Sequence, residues 1–196
     1  LNRAVEIYKN LKKPVLVCNV ELCSLTFRPQ IFSKENIVST ALFGDAAVSY
    51  IVSGNMGNCQ IMKSMEYTWK NSLHLMGWDI EDDGLSVIFD KKIPEFISKK
   101  LFKIIEKFSP GRKDGYILHS GGMKIIQAYR EILNADPSID ISQLVLSKFG
   151  NVSSVSILLV LEEVILQKKS GIYLMSALGP GFTVGLSEVN IHASNR

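Results

Sequence analysis

One histidine stands where a predicted strand ends and a predicted helix begins. His119 closes the apolar run from Gly115, and Ser120, Gly121 and Gly122 follow it. Ligands of α/β proteins bind at the carboxyl ends of strands, and bare glycines at a helix N-terminus let a thioester or a phosphate approach the backbone. The pattern is typical of a catalytic or binding site, but a histidine that only hydrogen-bonds at a strand end would have the same neighbours.

A second segment offers an amide and two hydroxyls just before an apolar helix. It reads Phe149-Gly150-Asn151-Val152-Ser153-Ser154. From propensity alone, Asn151 or Ser153 is a helix N-cap. In a catalytic interpretation, the Asn151 side chain directs an N–H group at a developing oxyanion. Both interpretations stay open at this point.

A third segment, the Gly179-Pro180-Gly181 loop, loosely resembles a dinucleotide-binding turn when Gly185 is included. Such a turn opens a helix, whereas the residues after Gly181 predict a strand. The context therefore argues against nucleotide binding and leaves a tight turn that lines a cavity.

Alternating strands and helices are predicted to hold these segments in place. Residues 1–12 predict a helix, Val15 to Val20 a buried strand of the parallel-sheet kind, and Gly44 to Val52 a second buried strand. Ser53 to Asn58 is the best candidate boundary. Beyond it the patterns predict the order β, β, β, α, β, α, α, β, β, with a hairpin around residues 82–84 and a helix opened by Pro94. This order indicates a layered α/β fold.

Composition excludes several classes of protein. The 196 residues are 46% hydrophobic, which is an ordinary composition for a globular protein. The net charge of +3 is too small to indicate a nucleic-acid-binding surface. The three cysteines, Cys18, Cys23 and Cys59, indicate reduced thiols and a cytoplasmic protein without a metal site. The longest apolar stretch, Val155 to Leu166, is too short for a membrane span.

Six short segments, taken in order, carry a resemblance. They are Glu21 to Arg28, Ala41 to Ala47, Met76 to Asp79 followed by Gly84, Ile117 to Gly122, Phe149 to Ser154, and Leu178 to Gly181. Together they resemble the E-x-x-x-x-T-F-R, A-L-F-G-D-G-A-A, H-P-G-G, G-N-M-S-S and G-F-G-P-G motifs of type III polyketide synthases. The third segment is similar to the bacterial branch of these chalcone/stilbene synthase-like enzymes. Ala46 replaces the usual glycine and Ser120 the usual proline.

The resemblance implies a thiolase-like fold, layered α/β/α, of which this chain is the C-terminal part. Residues 1–58 would be the end of the N-terminal half, and residues 59–196 the C-terminal chalcone/stilbene synthase-like half. The active site would lie between the two halves, and the full-length protein would be a homodimer.

The resemblance also implies an activity. An acyl-CoA starter would be condensed with malonyl-CoA units by decarboxylative Claisen condensation, with coenzyme A thioesters as substrates and no bound cofactor. His119 and Asn151 would be catalytic, and Gly121 and Gly122 would flank the coenzyme A path. The pocket for the growing chain would be formed by Phe43, Thr26, Trp78, Val87, Ser153, Gly179, Pro180 and Gly181.

The nucleophilic cysteine of the family is expected a few residues before Leu1, because Leu1 to Ala4 resembles the continuation of its helix. Cys18, Cys23 and Cys59 do not lie at a predicted helix N-terminus, where the pKa of a thiol is lowered. The isolated chain is therefore expected to be inactive.

Two residues bear on specificity. Trp78 stands where plant enzymes usually have glycine, so it would fill one wall of the pocket. Val87 stands where they commonly have phenylalanine, so it would open another wall. Side-chain size thus favours an aliphatic or short starter and a pyrone or resorcinol product. Two alternatives stay open: a ketoacyl-ACP synthase III-like condensing enzyme, and a non-catalytic truncated remnant.

Overall fold

The computed structural model describes residues 1–54, 57–82 and 84–192. Its helices are α1 (Asn2–Leu11), α2 (Lys34–Leu42), α3 (Ile93–Phe108), α4 (Met123–Ile132), α5 (Ile139–Phe149) and α6 (Ser156–Leu166). Its strands are β1 (Val15–Glu21), β2 (Ala46–Val52), β3 (Cys59–Thr68), β4 (Met76–Glu81), β5 (Gly84–Phe89), β6 (Gly115–Leu118), β7 (Gly171–Gly179) and β8 (Thr183–Ile191). Short 3₁₀ turns span Cys23–Thr26, Leu73–Leu75 and Ser153–Val155.

The main sheet has four strands in the order β3-β8-β7-β6 and separates two apolar cores. β6 pairs parallel with β7, and the other neighbours pair antiparallel. Side chains alternate between its faces, so Leu118 and Leu174 join a core with α3 and α4, while Ile117 and Tyr173 join one with α6. The layered α/β prediction is confirmed.

Helix α3 shows why the local sequence folds as it does. Ile93, Ile97, Leu101 and Ile105 recur every four residues and are all buried, while Pro94 lies in the first turn, where its missing N–H costs nothing. Each such buried side chain contributes about 1.5–3 kcal/mol of hydrophobic stabilisation.

In the part of the chain that the structure describes, no helix is long and apolar enough to cross a membrane.

The predicted hairpin is present as β4 and β5. They pair antiparallel from Met76 opposite Phe89 to Glu81 opposite Gly84. Asp83, which the sequence places in the turn, lies outside the described residues.

Strand β1 differs from its prediction. It pairs antiparallel with β2, from Val15 opposite Val52 to Glu21 opposite Ala46, in a separate two-stranded sheet. Leu16, Val20 and Ile51 are 65%, 63% and 66% exposed. The prediction of a buried strand of the parallel-sheet kind was therefore wrong, because antiparallel pairing turns alternate apolar residues to an open face. The predicted boundary at residue 58 falls in the connection between β2 and β3, and the two-part division stays a prediction.

Two helices were missed by the sequence patterns. Helix α2 is capped by the Ser33 hydroxyl, which accepts a hydrogen bond from the Asn36 N–H at 3.1 Å. Helix α5 contains Ile139, Ile141 and Val145, and β-branched residues of this kind favour strands when read alone. Tertiary packing outweighs that preference, since all three side chains are buried.

Candidate active site

The turn after β6 fixes His119. The backbone N–H of His119 donates to the Ser176 carbonyl of β7 at 2.9 Å, which continues the strand pairing. The Gly121 N–H then donates to the His119 carbonyl at 2.9 Å and closes a tight turn. Helix α4 begins two residues later. The imidazole is thus placed at the carboxyl edge of the sheet, as the sequence predicted.

The His119 ring packs directly on bare glycine. A Cβ added to Gly121 would lie 3.2 Å from both Cδ2 and Nε2 of His119, so an alanine there would press on the ring. Gly122 has a φ of 145° and is turned towards Leu42 of α2. Gly121 lines the cleft described below, whereas Gly122 does not, so the structure brings only the first of the two predicted coenzyme A-binding glycines to the cleft.

Asn151 is held on both sides by backbone hydrogen bonds. Its N–H donates to the Leu42 carbonyl at 2.8 Å, and its carbonyl accepts from the Gly44 N–H at 3.1 Å. Gly150 has a φ of 69°, and a Cβ there would stand 2.4 Å from the Leu42 carbonyl oxygen, so the close approach requires glycine. These contacts tie the segment after α5 to the end of α2.

The buried Asn151 side chain has two different roles at its two ends. Its Oδ1 accepts a hydrogen bond from the Ser153 N–H at 3.0 Å, a local turn contact of the capping type. Its Nδ2 donates to the Gly121 carbonyl at 3.3 Å, in the turn that carries His119. The residue is therefore both a local cap and an N–H donor beside His119.

A cleft of about 620 Å³ brings most of the predicted site residues together. The predicted residues that line it are Thr26, Phe43, Trp78, Val87, His119, Gly121, Asn151, Ser153, Gly179 and Pro180. Gly181 does not line it. That glycine is turned to the strand edge, where its carbonyl accepts from the Ser72 hydroxyl at 3.1 Å and a Cβ would stand 2.8 Å from the Thr183 hydroxyl.

The β4–β5 hairpin supplies an apolar wall of this cleft. Trp78 and Val87 lie directly opposite each other in the hairpin register, so their side chains share one face. Phe89 lies on the same face, and its ring is 6.4 Å from that of Phe43. The expectation that Trp78 fills one wall while Val87 opens another was wrong, because the two side chains are neighbours on a single wall.

A protein-family model matches most of the chain. The model described as "Chalcone and stilbene synthases, C-terminal domain" matches residues 60–189. The chain belongs to the chalcone and stilbene synthase family of type III polyketide synthases. The match favours this branch over the ketoacyl-ACP synthase III-like alternative.

Curated relatives and solved structures agree with the family. The chain is 34% identical to a putative chalcone synthase of Bacillus subtilis over 93% of the chain and 56% of the relative. It is 32% identical to a 1,3,6,8-tetrahydroxynaphthalene synthase of Streptomyces peucetius over 85% of the chain and 48% of the relative. The chain therefore spans about half the length of the curated relatives it matches.

Two crystal structures share the fold. One is the tetrahydroxynaphthalene synthase of Streptomyces coelicolor, with a TM-score of 0.87 and 22% identity over 98% of this chain and 58% of the other. The other is the type III polyketide synthase domain of Steely1 from Dictyostelium. It also has a TM-score of 0.87 and 22% identity, and the match covers 97% of this chain and 57% of the other. These matches confirm the predicted thiolase-like fold.

Electrostatics set the charge of the histidine in this polyketide synthase-type cleft. Burial lowers the pKa of His119 to about 4, and the carboxylate of Glu21 opposes that shift. In the isolated chain the imidazole is therefore neutral at pH 7. Glu21 is the first residue of the Glu21 to Arg28 motif, and its contact with Ser154 could not be predicted because the two residues are 133 positions apart.

The three cysteines lack the properties of a nucleophile. Cys23 lines the cleft, but burial, Glu21 and Asp45 raise the pKa of its thiol. Burial raises the pKa of Cys59 to about 11, and Cys18 is exposed on the open face of β1. The thiolate is the reactive form of cysteine, so the raised pKa values argue against Cys23 and Cys59 as nucleophiles, and Cys18 does not line the cleft.

The N-terminal end of α1 opens onto the same cleft. Leu1 and Asn2 both line it, together with His119 and Asn151. Helix α1 continues from Asn2 to Leu11 and packs against β1 and β2. A helix N-terminus lowers the pKa of a thiol and attracts negative charge.

Proposed function

We propose that this chain supplies the catalytic histidine, the catalytic asparagine and the wall of the product pocket in a type III polyketide synthase. The enzyme would be an acyltransferase that condenses an acyl-CoA starter with malonyl-CoA. One observation carries the proposal: His119 packs on Gly121, and Asn151 donates to the carbonyl of the same glycine, within a single cleft.

The reaction needs donors where negative charge develops. When the malonyl thioester loses CO₂, the electrons of the broken C–C bond form an enolate, and negative charge builds on the thioester oxygen. Preorganised N–H donors stabilise such an oxyanion, and one donor contributes about 10²–10³-fold in rate. The His119 ring and the second N–H of Asn151 Nδ2 are the donors that we assign to this oxygen.

We assign the acyl-carrying nucleophile to a cysteine that precedes Leu1 in the natural protein. The enolate carbon would attack the acyl carbonyl held on that sulfur, form the new C–C bond and release the thiolate. Supporting this assignment, Leu1 and Asn2 line the cleft, whereas burial raises the pKa of Cys23. The isolated chain would then form one side of the pocket for the reactants, but it would not condense them.

The starter group follows from the cleft wall. Trp78, Val87 and Phe89 lie on one face of the hairpin and line the cleft, and this mostly apolar wall suits an aliphatic acyl chain. We propose an alkylpyrone or alkylresorcinol-type product.

Intact-protein mass spectrometry tests the function. The natural full-length product would be incubated with a panel of acyl-CoA starters and malonyl-CoA, and the small-molecule products would be analysed in parallel. We expect one acyl adduct on a cysteine before Leu1, together with pyrone or resorcinol products. The matched control is Cys23→Ser, which should keep both the adduct and the products.

Two other outcomes would contradict the proposed function. Acylation of Cys23 would move the nucleophile into this chain and contradict the assignment. A full-length protein that acquires no adduct from any starter would support a non-catalytic remnant, in which His119 and Asn151 no longer serve catalysis.

A further inference from the structure

A hydrogen-bonded cluster lines the same cleft as His119. Its members are Asn19 and Glu21, which are alternate residues of β1, and Ser154 from the 3₁₀ turn after Asn151. The N–H of Ser154 donates to Oε1 of Glu21 at 3.3 Å, and the Ser154 hydroxyl donates to the same oxygen. The Nδ2 of Asn19 donates to the Ser154 hydroxyl at 3.2 Å. The carboxylate of Glu21 is thus fixed by the turn that also positions Asn151.

Few other charges face His119 from the walls of the cleft. The titratable groups that line it are the amino group of Leu1 and the side chains of Glu21, Cys23, Tyr50 and Glu66. Burial raises the pKa values of Cys23 and Tyr50, so both side chains are neutral at pH 7. Glu66 is exposed on β3. Of these groups, Glu21 is the carboxylate that hydrogen bonds hold in place on the cleft wall, and its negative charge opposes the lowering of the His119 pKa by burial.

We propose that Glu21 is a positioning residue whose fixed carboxylate stabilises the protonated form of His119, and that Ser154 and Asn19 hold the carboxylate in place. The inference deepens the proposed function and rests on it for its purpose. When a cysteine thiol transfers its proton to His119, a thiolate and an imidazolium form together. A carboxylate already fixed nearby favours that imidazolium against the cost of burial.

The competing explanation is purely structural, because the cluster also ties β1 to the turn that follows Asn151. Two substitutions separate the roles. Glu21→Gln removes the charge but keeps the length and an acceptor oxygen for Ser154. Ser154→Ala removes the two hydroxyl contacts but keeps the charge. A structural tether alone predicts lost stability in Ser154→Ala and an unchanged His119 titration in Glu21→Gln.

The decisive measurement is an NMR titration of the 196-residue chain with labelled histidine rings, from pH 7.5 down to pH 2.5, so that a midpoint below that of the parent chain is covered. His119→Gln assigns the resonance, and circular dichroism at each pH shows that the chain is folded. We expect Glu21→Gln to lower the His119 midpoint by about half a pH unit or more. Ser154→Ala should lower it by less, because the carboxylate is present but no longer held.

Asp45→Asn is the matched control. Asp45 is also a carboxylate held by a serine, since it accepts from the Ser24 N–H at 2.7 Å and the Ser24 hydroxyl at 2.6 Å, but it does not line the cleft. Its loss should leave the His119 midpoint unchanged. A Glu21→Gln midpoint within about 0.1 pH unit of the parent chain, or an equal shift in Asp45→Asn, would overturn the proposal.

This readout does not depend on catalysis. If Glu21→Gln shifts the midpoint while the full-length protein is never acylated, the polyketide synthase function fails and the coupling of Glu21 to His119 stands. If acylation occurs but the midpoint does not move, the function stands and the role given to Glu21 is wrong.

Discussion

The side-chain amide of Asn151 donates to the backbone carbonyl of Gly121 at 3.3 Å, although 30 residues separate them. The same glycine receives the imidazole of His119, since a Cβ there would lie 3.2 Å from the ring. One residue without a side chain therefore joins the two candidate catalytic groups. Its replacement tests whether their spacing matters.

Gly121→Ala should displace the His119 ring by a few tenths of an ångström and reduce condensation. Positioning effects of this kind cost up to about 10²-fold in rate, and we expect a loss of about 10-fold or more in kcat of the full-length enzyme. Gly57→Ala is the control, because a Cβ at Gly57 meets nothing within 4 Å. Unchanged kinetics in Gly121→Ala would show that the ring has room to move without consequence.

Asn151→Asp separates capping from catalysis. The aspartate keeps an oxygen that accepts from the Ser153 N–H, but it loses the Nδ2 donor and adds negative charge near the oxyanion. We expect the rate of malonyl-CoA decarboxylation to fall about 10²-fold or more. The thermal midpoint should fall as well, because the new carboxylate oxygen is buried beside the Gly121 carbonyl, so the rate is measured at a temperature at which the variant is folded. If the rate were kept, the asparagine would serve the turn alone.

The sequence predicts elements best where one local rule dominates. Pro94 and the apolar spacing of Ile97, Leu101 and Ile105 predict α3, and the hairpin of β4 and β5 follows from its turn residues. Helix α5 was missed because its β-branched residues favour a strand until tertiary packing buries them. The exposed face of β1 was missed because an apolar run does not reveal whether its neighbour is parallel or antiparallel.

The site shows the same division. His119 and Asn151 stand out as candidates because each lies at a recognisable strand or helix end with glycine beside it. The Glu21–Ser154 hydrogen bonds join residues 133 positions apart, and the pairing of Trp78 with Val87 depends on the hairpin register. No local pattern contains either contact, because both arise only when the elements pack.

Stability should depend on pH through His119. The folded-state pKa is lowered to about 4, below the usual 6.5, so the unfolded chain binds an extra proton between these values. The contribution is fully present above about pH 6.5 and is lost as pH falls towards 4. Urea unfolding at pH 7.5, 6 and 5 should show a decline on the order of 1 kcal/mol that His119→Gln reduces. His74→Gln, at an exposed histidine, should leave the decline intact.

Two buried serines should respond in opposite directions to loss of their hydroxyls. In the described part of the chain the Ser120 hydroxyl is fully buried and has no hydrogen-bond partner, whereas the buried Ser176 hydroxyl bonds the Tyr129 hydroxyl at 3.0 Å. Ser120→Ala should be neutral or stabilising by up to about 1 kcal/mol, and Ser176→Ala destabilising by about 1–3 kcal/mol. Chemical denaturation measures both, and a destabilised Ser120→Ala would reveal a partner for that hydroxyl.

Trp78 and Val87 should set starter size as a coupled pair, because they are opposite neighbours on one cleft wall. Trp78→Gly opens the wall and should admit bulkier starters, while Val87→Phe crowds the indole and should reject most of them. In the double variant the phenylalanine ring occupies the space that the indole leaves, so activity with small starters should recover. Product profiles from a graded series of acyl-CoA starters would measure this, and residues in contact should show non-additive effects. Additive effects would mean that the two side chains contact different parts of the acyl chain.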